Sequence, residues 1–369
     1  MQRATPGRAF GKKAKWLGGR LLLAALPLLL ALLACELILR VAGPAPADPD
    51  NRMSDRGFLI CDHDSLLGWI FPPDAAGDFE DDNSPVVIET NAWGLRGPEY
   101  DIDPDGLHIV VLGDSYAFGW GVEEEESFPR QLERILRGRC GDPTLTVINA
   151  GIPGYGPYQQ IEMLRRVRRH VPPDIVIATF SLANDPVDEL RIARYAPDRL
   201  WDYVPAVKDP DALLSRLSRS SRTVALLDER TLGLQLFLAN AGADARRLAE
   251  ASMVRLNGEC EETGVPLLMV VVPQRNQILS GGPGSWFARR FSRELRALPR
   301  EIARRHGVPQ IDLTPALAAV QQYEDAYLQH DAHWSPAGHE AVARAIAAAL
   351  PTAWLIRDGI PHAGDADDD

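Results

Sequence analysis

Cysteine is scarce: the 369 residues hold four. Cys61, Cys140 and Cys260 follow the first, Cys35, at spacings that match no metal-binding pattern. A disulfide-stapled scaffold and a cysteine-based metal site are thereby excluded. One disulfide among the last three stays open, as do buried free thiols. Aromatics make up only 7% of the chain, and internal repeats are lacking. Positive charge is lacking from most of it. Six of the 39 basic residues (Arg3, Arg8, Lys12, Lys13, Lys15, Arg20) lie in the first 20 positions, which contain no acid. The remainder holds 33 basic and 51 acidic side chains, a net of −18. An acidic body repels phosphate, so nucleic acid is excluded as the main partner.

One long run lacks charge altogether. "LLLAALPLLLALLAC" (Leu21–Cys35) has no charged residue, and Leu37, Ile38, Leu39 and Val41 extend it. That is long enough for a membrane span. The basic residues before it place the N-terminus on the cytoplasmic side, and the body faces the periplasm or cell exterior. Glu36 and Arg40 are four apart and can pair on one helix face. The expectation is an uncleaved anchor over 21–42 in a bacterial inner membrane, after a basic cytoplasmic segment at 1–20. A cleaved signal peptide and a lipoprotein signal ending at Cys35 are the alternatives.

Residues 43–104 open with a Pro-rich, acidic stalk, "GPAPADPDN", and continue as a β-rich lead-in. Five short apolar runs follow: "LHIVVLG" (107–113), "TLTVINAG" (144–151), "PDIVIATFSL" (173–182), "VPLLMVVVP" (265–273) and "VPQIDLT" (308–314). Amphipathic helical patterns separate them, and "SPAGHEAVARAIAAAL" (335–350) begins with a helix-start signal, Ser before Pro. Apolar strands alternating with helices predict a doubly wound α/β/α sandwich around a five-stranded parallel sheet, over 105–354. An insertion at about 188–242 interrupts the rhythm, and 355–369 forms an acidic tail.

Ligands of such sheets bind beyond the carboxyl ends of the strands. Asp114 and Ser115 follow the first run, "NAGIPGYG" with Gly154 the second, and "LAND" with Asn184 and Asp185 the third. "QHDAHWSPAGHE", with Asp331 and His333, follows the fifth. His330 and His339 read as loop or helix-surface residues. A nucleophile, a base, a group that orients the base and donors for an oxyanion form the set that acyl transfer needs.

These blocks resemble the SGNH/GDSL hydrolase superfamily: "GDSYAFGWG" with Ser115, "NAGIPGYG" with Gly154, "LAND" with Asn184, and "DAHWSPAGH" with Asp331 and His333. The lead-in "TNAWGLRGPEY" resembles the segment before the catalytic domain in membrane-anchored bacterial members. Two departures stand out. Leu182 holds a position that is often glycine. Asp331 and His333 are two apart instead of three, a spacing similar to the Asp-x-His-Trp pattern of proteins that O-acetylate alginate and related polysaccharides.

The resemblance implies a triad of Ser115, His333 and Asp331, and an oxyanion hole of the Ser115 and Gly154 N–H groups with the Asn184 amide. Asp114 is a supporting residue. No metal and no cofactor are implied. Trp120, Tyr155 and Trp334 are candidates for lining the acyl or sugar site, with core packing as the alternative reading. The expected activity is that of a serine esterase or O-acyltransferase on acyl, above all acetyl, esters of cell-envelope glycans. Expected partners are the acylated glycan or another ester substrate, the inner membrane, and a membrane-bound acyltransferase or polysaccharide-synthesis proteins. A lipid esterase, lysophospholipase or thioesterase, and a non-catalytic glycan-binding or scaffold protein, are the alternative readings.

Overall fold

The computed structural model describes residues 27, 30–38, 40–41, 61–81, 84–182, 184–194, 217, 221, 223–224, 242–273, 275, 285–320, 323–328 and 332–356. They fall into two compact units, which are taken separately.

The smaller unit holds the described residues up to Val41 together with 217, 221, 223 and 224. Residues 30–38 and 40–41 are helical, and Leu30, Leu33, Leu37, Ile38 and Val41 are exposed on them. Arg40 Nε donates to Glu36 Oε1 at 2.7 Å, the pairing expected from their spacing. Glu36 Oε2 also accepts from Ser221 Oγ (2.7 Å) and the Thr223 N–H (2.9 Å). Among the described residues no helix is long and apolar enough to cross a membrane. Much of the anchor expected at 21–42 lies outside the described residues, as do the basic segment, the stalk and most of the acidic tail.

The larger unit opens with two antiparallel hairpins. β1 (Asp62–Asp64) pairs with β2 (Gly68–Ile70), and β3 (Ala76–Asp81) with β4 (Ser84–Glu89). Five parallel strands follow: β5 (His108–Gly113), β6 (Thr146–Gly151), β7 (Ile175–Ser181), β8 (Leu267–Val272) and β9 (Gln310–Asp312). Their order is β6-β5-β7-β8-β9, so the five-stranded parallel sheet expected from the apolar runs is present. The helices between are α1 (Ser115–Phe118), α2 (Phe128–Cys140), α3 (Pro157–Val167), α4 (Asp185–Arg194), α5 (Ala243–Glu262), α6 (Ser285–His306), α7 (Thr314–Ala318) and α8 (Pro336–Ala349).

Strand residues alternate between the two faces. Val110, Leu112, Ile148, Ala150, Val176 and Met269 enter one core, with Leu164 of α3, Met253 and Leu256 of α5 and Ile302 of α6. Ile109, Val111, Val147, Ile175, Ile177 and Val270 enter the other, with Leu132 and Leu136 of α2 and Val342 and Ile346 of α8. The hairpins join the first core through Leu67, Trp69, Phe71, Val86 and Ile88.

Two readings need revision. Asp188 lies inside α4, so the chain keeps its strand-to-helix rhythm to Arg194. The rest of the expected insertion, 195–241, is outside the described residues except for the four positions of the smaller unit. His339 is no surface residue. It is 1% exposed in α8, and its Nδ1 accepts the Phe128 N–H at 3.2 Å. Burial lowers its pKa to about 3, keeping the ring neutral. Of the two alternatives open for the cysteines, the structure has free thiols at all four, and burial pushes Cys61 up to about 12 and Cys260 up to about 11.

Candidate active site

The chain passes from β5 into the short helix α1 at Asp114. The close approach of neighbouring strands requires a glycine just before it. A Cβ on Gly113 would sit 1.9 Å from Thr179 Oγ1 on β7. The Asp114 carboxylate then caps α1, accepting the Tyr116 N–H at 3.0 Å. Ser115 follows at the carboxyl edge of the sheet, where β6 lies on one side of β5 and β7 on the other. This reversal of strand order is where open α/β sheets bind ligands.

Ser115 Oγ lies 2.7 Å from His333 Nε2. The loop that brings His333 there is tied at several points. Tyr116 OH donates to the Ala332 carbonyl (3.1 Å), and the Leu328 N–H to that of His333 (2.9 Å). The Ser335 hydroxyl caps α8 by accepting the Gly338 N–H, as the Ser-Pro pair predicts. The imidazole lies beside Tyr116 (centroids 5.0 Å) and stacks on Trp120 (5.5 Å, 29° between planes). Asp331 and His330 lie outside the described residues. Among the aromatic candidates, Tyr155 and Trp334 are fully buried core residues, whereas the partly exposed Trp120 faces the histidine.

The turn after β6 holds Gly154 at φ 81°, a left-handed conformation that favours glycine. Trp69 of β2 braces this turn: its indole Nε1 donates to Pro153 O at 3.0 Å, and Tyr155 OH donates to Trp69 O. After β7, Asn184 Oδ1 accepts from Ser181 Oγ (2.6 Å) and Nδ2 donates to Asp188 Oδ2 (2.8 Å).

Asn184 therefore borders a cluster of acids, of which sequence reasoning named Asp114 and Asp185 and missed Asp188 and Glu189. Asp114, Asp185, Asp188 and Glu189 are all buried. Burial pushes Asp114 up to about 6, against the opposing effects of the Tyr116 N–H, the His333 ring and the Asn184 amide. Burial, then the charge of Asp114, holds Asp185 well above the usual carboxylate range. Burial raises Asp188 too, with Arg191 and Asn184 opposing, and Glu189 rises to about 7 against bonds from Ser252 and the Tyr158 N–H. The signal was "NDPVDEL", three acids within five residues directly after Asn184. Among the described residues no group of three His, Cys, Asp or Glu is arranged to hold a metal ion.

A hydroxyl in hydrogen-bond contact with an imidazole, beside a glycine turn at the switch point of a parallel sheet, can attack a carbonyl carbon.

Comparison with known proteins places this geometry in context. The family model of the GDSL-like lipase/acylhydrolase family matches residues 111–341, more than half of the chain. No curated protein sequence matches. Similar solved structures include LAE5, an alpha/beta hydrolase enzyme from the Lake Arreo metagenome. It is 16% identical, with 68% of this chain and 97% of that one covered and a TM-score of 0.42. The lipase Lip_vut3 from a goat rumen metagenome is 16% identical (66% and 97% covered, TM-score 0.40). The SGNH-hydrolase family esterase AlinE4 is 19% identical (67% and 98% covered, TM-score 0.36).

Proposed function

The chain belongs to the GDSL-like lipase/acylhydrolase family, a family of ester-cleaving enzymes, and on that premise we propose that it is a membrane-anchored serine enzyme acting on acetyl esters of cell-envelope glycans, as esterase or O-acyltransferase. The observation that carries this reading is the 2.7 Å contact between Ser115 Oγ and His333 Nε2.

In the proposed mechanism His333 Nε2 takes the Ser115 hydroxyl proton as Oγ attacks the ester carbonyl. The oxyanion that forms is met by the N–H groups of Ser115 and Gly154 and by the Asn184 amide, which gives up a bond within the acidic cluster to reach it. Each such donor contributes about 2.7–4 kcal/mol to the transition state. His333 then protonates the leaving alcohol, and acyl-Ser115 remains. Water or a sugar hydroxyl attacks that ester, again with His333 as base, giving hydrolysis or transfer. Asp331 orients the imidazole and stabilises its charged form. Asp114 supports the nucleophile turn through its cap on Tyr116.

The glycan acetyl ester rests on the Asp-x-His-Trp likeness at 331–334 and on the charge-free N-terminal run, which would hold the enzyme at the membrane facing the envelope. A membrane-bound acyltransferase or polysaccharide-synthesis protein would then be its partner. The test is the full-length protein in detergent micelles, offered acetyl, butyryl and octanoyl aryl esters and an acetylated polysaccharide. Release of acetate from the polysaccharide, or acetyl transfer to it, supports the reading. Preference for the octanoyl ester turns the assignment towards lipid, and inactivity on all of them contradicts it.

A further inference from the structure

Arg96 lies upstream of the residues matched by the family, in "TNAWGLRGPEY" between the second hairpin and β5. It is 1% exposed. Its Nη1 donates to the carbonyls of Phe118 (3.1 Å) and Gly119 (2.5 Å), and its Nη2 to that of Val122 (2.6 Å). The guanidinium carbon stands 4.9 Å from the centroid of the Phe118 ring. Glu124, Glu123 and Glu125 supply negative charge nearby.

Those three carbonyls belong to the turn by which the chain leaves α1. At its other end the turn is bound to the nucleophile itself. The N–H groups of Gly119 and Trp120 both donate to the Ser115 carbonyl, at 3.2 and 3.0 Å. Gly119 adopts φ 85° there. Between the two ends stands Trp120, whose ring stacks on His333. A helix of four residues cannot fix the direction of its own exit, because most of its carbonyls have no partner within it. A rigid planar fork of donors can, since each N–H sets the direction of one acceptor. Burying a cation for packing alone is unfavourable against an apolar side chain of similar size. The three converging bonds give the charge a purpose.

We propose that Arg96 is a positioning residue for the active site, holding residues 118–122 so that Ser115 Oγ and the Trp120-backed His333 imidazole keep their alignment. This rests on the reading of Ser115 as nucleophile.

Full-length Arg96→Lys and Arg96→Gln are compared with wild type in detergent, by thermal melting, by kcat and KM on an aryl acetate, and by the rate at which a fluorophosphonate labels Ser115. Lysine keeps the charge but cannot hold three carbonyls in the same fork. A positioning role predicts at least one folded variant with kcat and labelling rate down about 10- to 100-fold, KM within twofold, and Lys milder than Gln. A kcat within twofold of wild type in every folded variant overturns the proposal. So does a rise in KM alone, or failure of both variants to fold, which would make Arg96 a folding residue. If wild type itself neither turns over nor labels, it is the nucleophile reading that fails, and the two failures are thereby told apart.

Discussion

Ser115 and His333 are separated by 218 positions in the chain and by 2.7 Å in space. They follow strands that are not neighbours in the sheet, β5 and β9. Ser115 follows β5, next to the edge strand β6, and His333 arrives on the loop before α8, which covers the face shared with α2. The contact exists because β5 ends in a glycine that lets β7 and α1 approach closely, and because α8 starts at a Ser-Pro cap that fixes the preceding loop.

Gly154 combines a positive φ with a close neighbour. A Cβ there would lie 3.0 Å from Trp69 Cζ2. Gly154→Ala should therefore destabilise the fold by about 1–2 kcal/mol, the cost of a left-handed non-glycine residue. It should also lower kcat about 10- to 100-fold by shifting an oxyanion donor, short of the 10²–10³ expected for losing one outright. Thermal melting and steady-state kinetics on one aryl acetate check both.

Asp114→Asn separates capping from charge. Asparagine caps a helix about as well as aspartate, so the melting temperature should hold or rise. The variant loses the negative charge that interacts with the His333 ring. Its kcat should fall about 10-fold at pH 8. Wild-type Asp114 takes up its proton as pH drops through about 6, so the gap should narrow at pH 5. A constant ratio of wild type to variant across that range would refute the charge role.

Glu189 bears on stability. Its folded pKa, about 7, lies above its ordinary value of 4.5, so its neutral form favours folding. Its contribution is fully present below pH 4.5 and is lost as pH rises through 7. Glu189→Gln keeps one oxygen to accept the Tyr158 N–H, turns an amide N–H to the Ser252 hydroxyl, which can accept it, and does not titrate. The melting temperature of the variant relative to wild type should rise by several degrees from pH 5 to pH 8. A difference independent of pH would remove the burial account of this residue.

Much of the frame was legible before the structure. The five apolar runs became the five strands because a sheet covered on both faces demands continuous hydrophobicity. Ser115 and His333 were legible because each follows its own strand run and stands in a recognisable block. Arg96 was not: one arginine between a leucine and a glycine says nothing about carbonyls that lie beyond it in sequence. The acids at 188 and 189 were hidden for a similar reason. Acids suit the first turn of any helix, and only the tertiary structure buries them against Asp114. His339 was misread because the aromatic cage of Phe128 and Trp334 forms across two helices and a loop.

The central claim is that Ser115 is a nucleophile activated by His333. Its most direct test is covalent labelling of the full-length protein with a fluorophosphonate, followed by peptide mapping and turnover of an aryl acetate. The account predicts one phosphonylated residue, Ser115, and kcat at the assay floor for Ser115→Ala and His333→Ala, a loss of about 10⁶-fold where it can be measured. Labelling at another residue, or wild-type turnover in Ser115→Ala, would contradict it.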